Sequence, residues 1–186
     1  MFMLVPTRII YAQEQKALTL TEAIQMALSN SDQAKIAETQ VTTAEAELKS
    51  IKVSMKYPDQ LVLGADSVID LNLKLINKPN SRKEAFQILK ELNNSKHFLI
   101  SSVCVSKNGA MIWNYTDVSE LKMKNLTDEE LSLYLDKIDT KTLLAYGVYQ
   151  IEADGLELFE YVRGDRDSIM GLPIIEIKNY IKLYKE

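Results

Sequence analysis

Leu61-Val-Leu-Gly-Ala-Asp-Ser-Val-Ile69, followed after a short interval by Asn77-Lys78-Pro79, is the stretch around which the rest of the chain organises. Its apolar residues read as a buried strand with Asp66 at the strand's end, and Asp70 to Ile76 alternates as a second strand that brings Lys78 within reach. Gly64 and Ala65 are small enough for a ligand to approach the backbone. Asp66 suits either a divalent cation or a proton taken from water, and Lys78, fixed by the rigid Pro79, offers a point charge to a phosphate.

Outward from this pair the pattern is α/β. Ser81-x-x-Glu84 forms a capping box before a helix with Ala85, Ile88, Leu89 and Leu92 on its inner face. Phe98 to Ser106 and Met111 to Tyr115 flank Asn108-Gly109, a strong hairpin signal because both residues tolerate positive φ. Thr127-x-x-Glu130 caps a further helix bearing Leu131, Tyr134, Leu135 and Ile138. Strands are expected at Tyr146 to Glu152 and Leu156 to Val162, and a last helix opens at Pro173.

A length of 186 residues with 46% hydrophobic content accommodates one good core, or a core plus a helical appendage. The net charge of −4 comes from interspersed signs, so no basic surface is present to hold a nucleic-acid polymer. No stretch approaches the roughly 18 apolar residues of a membrane span. One cysteine, Cys104, lies in an apolar run as a small buried hydrophobe, which fits a reducing, cytoplasmic setting. His97 is the only histidine, which argues against multi-histidine metal sites and Ser-His catalysis.

Residues 19 to 57 read as helical. Thr19-x-x-Glu22 is a capping box, and after the polar Ser29 to Asp32 break, Ala34, Ala37, Val41, Ala44, Leu48, Ile51 and Met55 recur at heptad spacing up to Pro58. Residues 12 to 50, with Ala17-Leu-Thr-Leu-Thr-Glu-Ala-Ile-Gln-Met-Ala-Leu28 and a later Ala-Glu-Ala-Glu-Leu repeat, resemble the first long helix of TolC-type outer-membrane efflux proteins. The expected organisation is an atypical helical segment over residues 1–50 and an α/β domain over 51–186.

The motifs from about residue 52 to 184 resemble, in order and spacing, the Maf-type nucleoside triphosphate pyrophosphatases. They are Gly64-Ala-Asp-Ser67, Lys78-Pro79, Gly147-Val-Tyr-Gln-Ile-Glu152, Leu158-Phe159, Gly164-Asp165 and Met170-Gly-Leu-Pro173. The resemblance implies an elongated mixed sheet flanked by helices, a fold shared with inosine triphosphatase. It also implies hydrolysis of standard or modified nucleoside triphosphates to monophosphate and pyrophosphate, with Mg²⁺ or Mn²⁺ assisting, in a family-like homodimer. By the same resemblance Asp66 is the catalytic acid or metal ligand and Lys78 contacts phosphate. Gln150 hydrogen-bonds substrate or water, Ser67 either contacts the nucleotide or caps a turn, and a lysine of the preceding helix, for which Lys52 is the nearest match, contacts substrate too. Glu152 is a second acidic candidate for metal, set against its reading as an exposed strand residue. The family also opens with a Ser-x-Ser-Pro-Arg-Arg phosphate-binding segment, which the first fifty residues lack; the arginines, at 8, 82, 163 and 166, are never adjacent. Impaired turnover is the expectation. The alternative is an inactive nucleotide-binding or helix-mediated assembly module.

Overall fold

The computed structural model describes residues 31–151 and 154–185. The expected Thr19 capping box, the helix face from Leu20 to Leu28, and Glu152 lie outside these residues. Among the described residues one five-stranded sheet runs in the order β2-β1-β3-β4-β5, where β1 is Val62–Leu71, β2 Lys74–Ile76, β3 Lys96–Lys107, β4 Ala110–Met123 and β5 Phe159–Arg163. Every pairing among the described residues is antiparallel, which corrects the expected mixed sheet over that part of the chain. Consecutive hairpins account for this: Asn108 and Gly109 take φ of 52° and 79° and turn β3 directly into β4.

A second hairpin lies where a single alternating strand was expected. Asp70 turns the chain by accepting the Leu73 amide at 2.8 Å, and Asn72 and Leu73 adopt φ of 53° and 66°. Ile69 then faces Ile76 across the new pair. A leucine at positive φ is an unfavourable choice for an L side chain, which is why alternation alone reads straight through this turn. Asp66 consequently lies in the middle of β1, opposite Ser102, rather than at a strand end.

Helix α1 (Ser31–Ser54) runs unbroken through residue 50 and crosses one face of the sheet. From residue 39 onward its buried side chains are Thr42, Ala46, Ser50 and Ser54, an i, i+4 ladder of small residues. The expected heptad seam points the other way: Val41, Leu48 and Met55 are 47%, 63% and 67% exposed. The ladder has to be small because α1 rests on Gly64, where a Cβ would lie 2.2 Å from the Ala46 carbonyl oxygen. The glycine thus admits a helix, where a ligand was expected. Hydroxyls join the two layers, with Ser50 Oγ 2.7 Å from Ser106 Oγ and Thr43 Oγ1 3.1 Å from Thr116 Oγ1.

The opposite face holds the apolar core. Strand alternation sends Leu71, Leu99 and Leu121 there, where they meet Leu89 and Leu92 of α2 (Arg82–Leu92) and Leu131 of α3 (Asp128–Asp136). Thr127 and Glu130 form the expected reciprocal capping box, whereas Glu84 reaches the Asn80 amide instead of that of Ser81. Helix α4 (Thr140–Tyr146) replaces the start of the strand expected at Tyr146. Asp139 caps its first turn, and Gly147, at φ 101°, ends it with its amide on the Leu143 carbonyl. The chain then runs without helix or strand to Ile151, makes a 3₁₀ turn over Asp154–Leu158, and continues through β5, α5 (Arg166–Ile169) and α6 (Ile174–Lys185). Trp113 of β4 stacks on Tyr180 of α6 at 4.7 Å.

Candidate active site

Because β2 pairs only with Ile69 to Leu71, the other flank of β1 from Val62 to Val68 has no strand neighbour among the described residues. A cavity of about 370 Å³ opens there, walled by β1, the segment after β2, the connection from Tyr146 to Ile151 and the turn at Ile169 to Gly171. Asp66, Ser67, Lys78 and Gln150 all line it, although they come from three separate stretches of chain.

Asp66 points to the α1 side of the sheet, where Lys49 Nζ lies 2.5 Å from its Oδ1 and 3.3 Å from the Ala65 carbonyl oxygen. The aspartate side chain is 14% exposed and the lysine 50%, so the pair sits at the wall of the cavity, half in solvent. Ser67, one residue on, faces the other side of the sheet and shares a hydrogen bond with Ser101, Oγ to Oγ at 3.0 Å. Lys78 follows β2 and buried Pro79 holds its far side; its ammonium donates to the Ala145 carbonyl at 2.7 Å, at the negative end of α4. The backbone carbonyl of Gln150 accepts from the Gly155 amide at 3.0 Å. Beneath this connection Tyr149 is bonded to His97, 3.1 Å from hydroxyl to Nε2. Burial pushes the His97 imidazole down to about 4 and the Tyr149 phenol upward, so both stay uncharged around neutrality.

Lys49, not Lys52, is the helix lysine at the cavity. The reason is direction: α1 travels from Thr43, beside Ser102, to Ser54, whose hydroxyl accepts the Gly109 amide at the β3–β4 turn. Lys52 therefore stands about 4.5 Å further along the axis, away from Asp66, and is exposed. The signal that identifies Lys49 is the ladder Thr42, Ala46, Ser50, Ser54, since the buried Ser50 fixes where its neighbour emerges. The heptad reading concealed it. Tyr146 is a second cavity residue that the sequence reading did not single out; it is 70% exposed at the rim.

One carboxylate and two ammonium groups on one cavity suit a polyanion that brings its own cation. Among the described residues no group of three or more His, Cys, Asp or Glu side chains is gathered to cage a metal. A lone Asp66 does fit Mg²⁺, which keeps waters and commonly takes one or two carboxylates alongside substrate phosphates.

The sequence matches the Maf-like protein family over residues 13–184. That span takes in nearly all of the segment that resembles a TolC-type helix, and α1 packs on the domain's own sheet, so the efflux-protein resemblance is set aside. The chain is 55% identical over 151 residues to the nucleoside triphosphate pyrophosphatase of Pelagibacter ubique, covering 81% of this chain and 77% of that protein. It is 34% identical over 143 residues to that of Ruegeria pomeroyi, covering 77% and 72%. It is 38% identical over 132 residues to the 7-methyl-GTP pyrophosphatase of Bartonella quintana, covering 71% and 67%. With an Asp66 cavity built on the matched motifs and relatives that are hydrolases, the chain belongs to the Maf-like protein family.

Proposed function

We propose that the protein hydrolyses nucleoside triphosphates between the α and β phosphates, releasing a monophosphate, pyrophosphate and a proton. The observation that carries this reading is the cavity in which the Asp66 carboxylate stands against Lys49, with Lys78 and Gln150 on the same walls. In the resting site each lysine is held by a protein oxygen, Lys49 by Asp66 and Lys78 by Ala145. A phosphate oxygen can replace the neutral Ala145 carbonyl at Lys78 with a stronger charge-assisted bond, and it competes with Asp66 for Lys49 as a second anionic acceptor. Transfer of Lys49 to the substrate frees Asp66 to orient the attacking water and accept its proton. Gln150 hydrogen-bonds the substrate or that water. A bound Mg²⁺ or Mn²⁺ held by Asp66 would spread the charge that develops on the phosphates.

Modified nucleotides are included in the proposed range, a reading supported by the Bartonella relative's name. Impaired turnover is proposed as well, since the first fifty residues lack the adjacent arginines that the family resemblance implies, and such a clamp on the phosphates would contribute several kcal/mol of transition-state binding. The test is pyrophosphate release with Mg²⁺ across purine, pyrimidine and 7-methylated triphosphates. Turnover no higher than that of Asp66→Asn for every one of them would refute the proposal.

A second reading, assembly through α1, draws on the exposed Val41, Leu48 and Met55 at heptad spacing. It makes the protein a homodimer, and sedimentation of Leu48→Glu as a monomer alongside a dimeric wild type would support it. Among the described residues no helix is long and apolar enough to cross a membrane. The proposed setting is the cytoplasm, which buried, unpaired Cys104 fits.

A further inference from the structure

Gln150 reaches the cavity from a connection that has neither helix nor strand to fix it, so its position depends on what grips its neighbours. On one side the Gly155 amide holds the Gln150 carbonyl at 3.0 Å, so closely that a Cβ at Gly155 would lie 2.2 Å from that oxygen. On the other side stands Tyr149, bonded through its hydroxyl to His97. The Tyr149 ring meets Phe159 edge-on at 4.9 Å, and the His97 ring lies 5.8 Å from that of Tyr149. His97 is fully buried at the start of β3, on the face opposite α1, and the proposed chemistry gives it no part. The strand is the rigid body here and the connection is the adaptable one. A buried bond between them fixes the second with respect to the first.

We infer that His97 is a positioning residue: by holding the Tyr149 hydroxyl from β3, it sets where the adjoining Gln150 stands on the cavity wall. This rests on the hydrolytic reading above. Both partners are neutral at working pH because burial disfavours their charged forms, so the bond orients the connection without placing charge near the phosphates. The packing around Phe159 supplies the stability, and the 3.1 Å hydrogen bond supplies the direction.

The test is a mutant cycle between Tyr149→Phe, which removes only a hydroxyl and keeps the ring, and Gln150→Ala, with His97→Gln as a check from the other partner. Tyr149→Phe is expected to lower kcat/KM about tenfold in the wild-type background and by less than about twofold when Gln150 is already alanine, the non-additivity of residues acting in one chain. His97→Gln, which can still donate to or accept from the hydroxyl, is expected to retain more activity than Tyr149→Phe. Wild-type kinetics for Tyr149→Phe, or the same loss in both backgrounds, would overturn the inference, because a purely structural role moves both equally. If the wild-type chain turns over no nucleotide, the hydrolytic reading falls. The same cycle is then read in Kd for α,β-methylene nucleoside triphosphates, where equal losses in both backgrounds overturn the positioning role.

Discussion

Replacing Gly64 by alanine would put a methyl carbon 2.2 Å from the Ala46 carbonyl oxygen, 2.8 Å from the Ser50 nitrogen and 2.9 Å from the Ser50 Cβ. Two of these three atoms are helix backbone, so no side-chain rotation relieves the clash. The helix as a whole has to lift from β1 by about 1 Å to restore ordinary van der Waals separation. Overpacking of this kind costs about 1–3 kcal/mol. For a chain of this size that corresponds to a fall in Tm of roughly 2–12 °C. The larger effect is on the site. Lys49 immediately precedes Ser50, and a shift of the helix carries its ammonium away from the 2.5 Å contact with Asp66. A misplacement of about 1 Å typically lowers a catalytic rate on the order of 100-fold. Gly64→Ala is therefore expected to lose far more activity at 25 °C than its stability alone accounts for, measured as pyrophosphate release beside a thermal melt of the same preparation. A variant that melts within about 1 °C of wild type and keeps its kcat/KM would refute the claim that this glycine sets the height of α1.

Two further outcomes follow from the same geometry. Lys49→Ala is expected to reduce kcat/KM by roughly 100–1000-fold, the range for losing one preorganised donor to transition-state charge, whereas Lys52→Ala leaves it unchanged; equal losses at both positions would contradict the assignment. His97 titrates near 6.5 when unfolded and at about 4 when folded, so the folded state takes up its proton later as pH falls. Its contribution is complete above pH 6.5 and is lost between 6.5 and about 4, amounting to about 3 kcal/mol at most. Urea unfolding of wild type and His97→Gln across that interval checks the sign, since the variant should lose this slope; parallel curves would show that His97 does not carry it.

The parts of the fold legible in the sequence are those written in local chemistry. The Asn108-Gly109 turn, the Thr127 capping box and the inner face of α2 depend on residues a few positions apart. What the reading misplaced depended on partners remote in the chain. Gly64 looked like a ligand approach because nothing near it names Ala46 as its neighbour. The seam of α1 was misread because helix packing is usually announced by large apolar residues, and here the contact is made by Thr42, Ala46, Ser50 and Ser54 instead. The strand expected at Tyr146 failed because its apolar residues are buried from a loop, held by Gly147 and by the His97 bond. At the site, Asp66, Lys78 and Gln150 stood out through an ordered set of motifs, while Lys49, outside any motif, needed the helix's orientation.

Asp66 and Ser67 are consecutive residues that address opposite sides of the sheet, one toward Lys49 and the other toward Ser101. A slip of β1 by a single position would exchange them, burying a carboxylate in the apolar layer and presenting a hydroxyl to the lysine. Two devices forbid that slip. The Asp70 carboxylate locks the turn at Leu73 at one end, and near the other only Gly64 can pass beneath Ala46. Strand alignment, commonly treated as a matter of stability, is here what decides on which side of the molecule the negative charge stands.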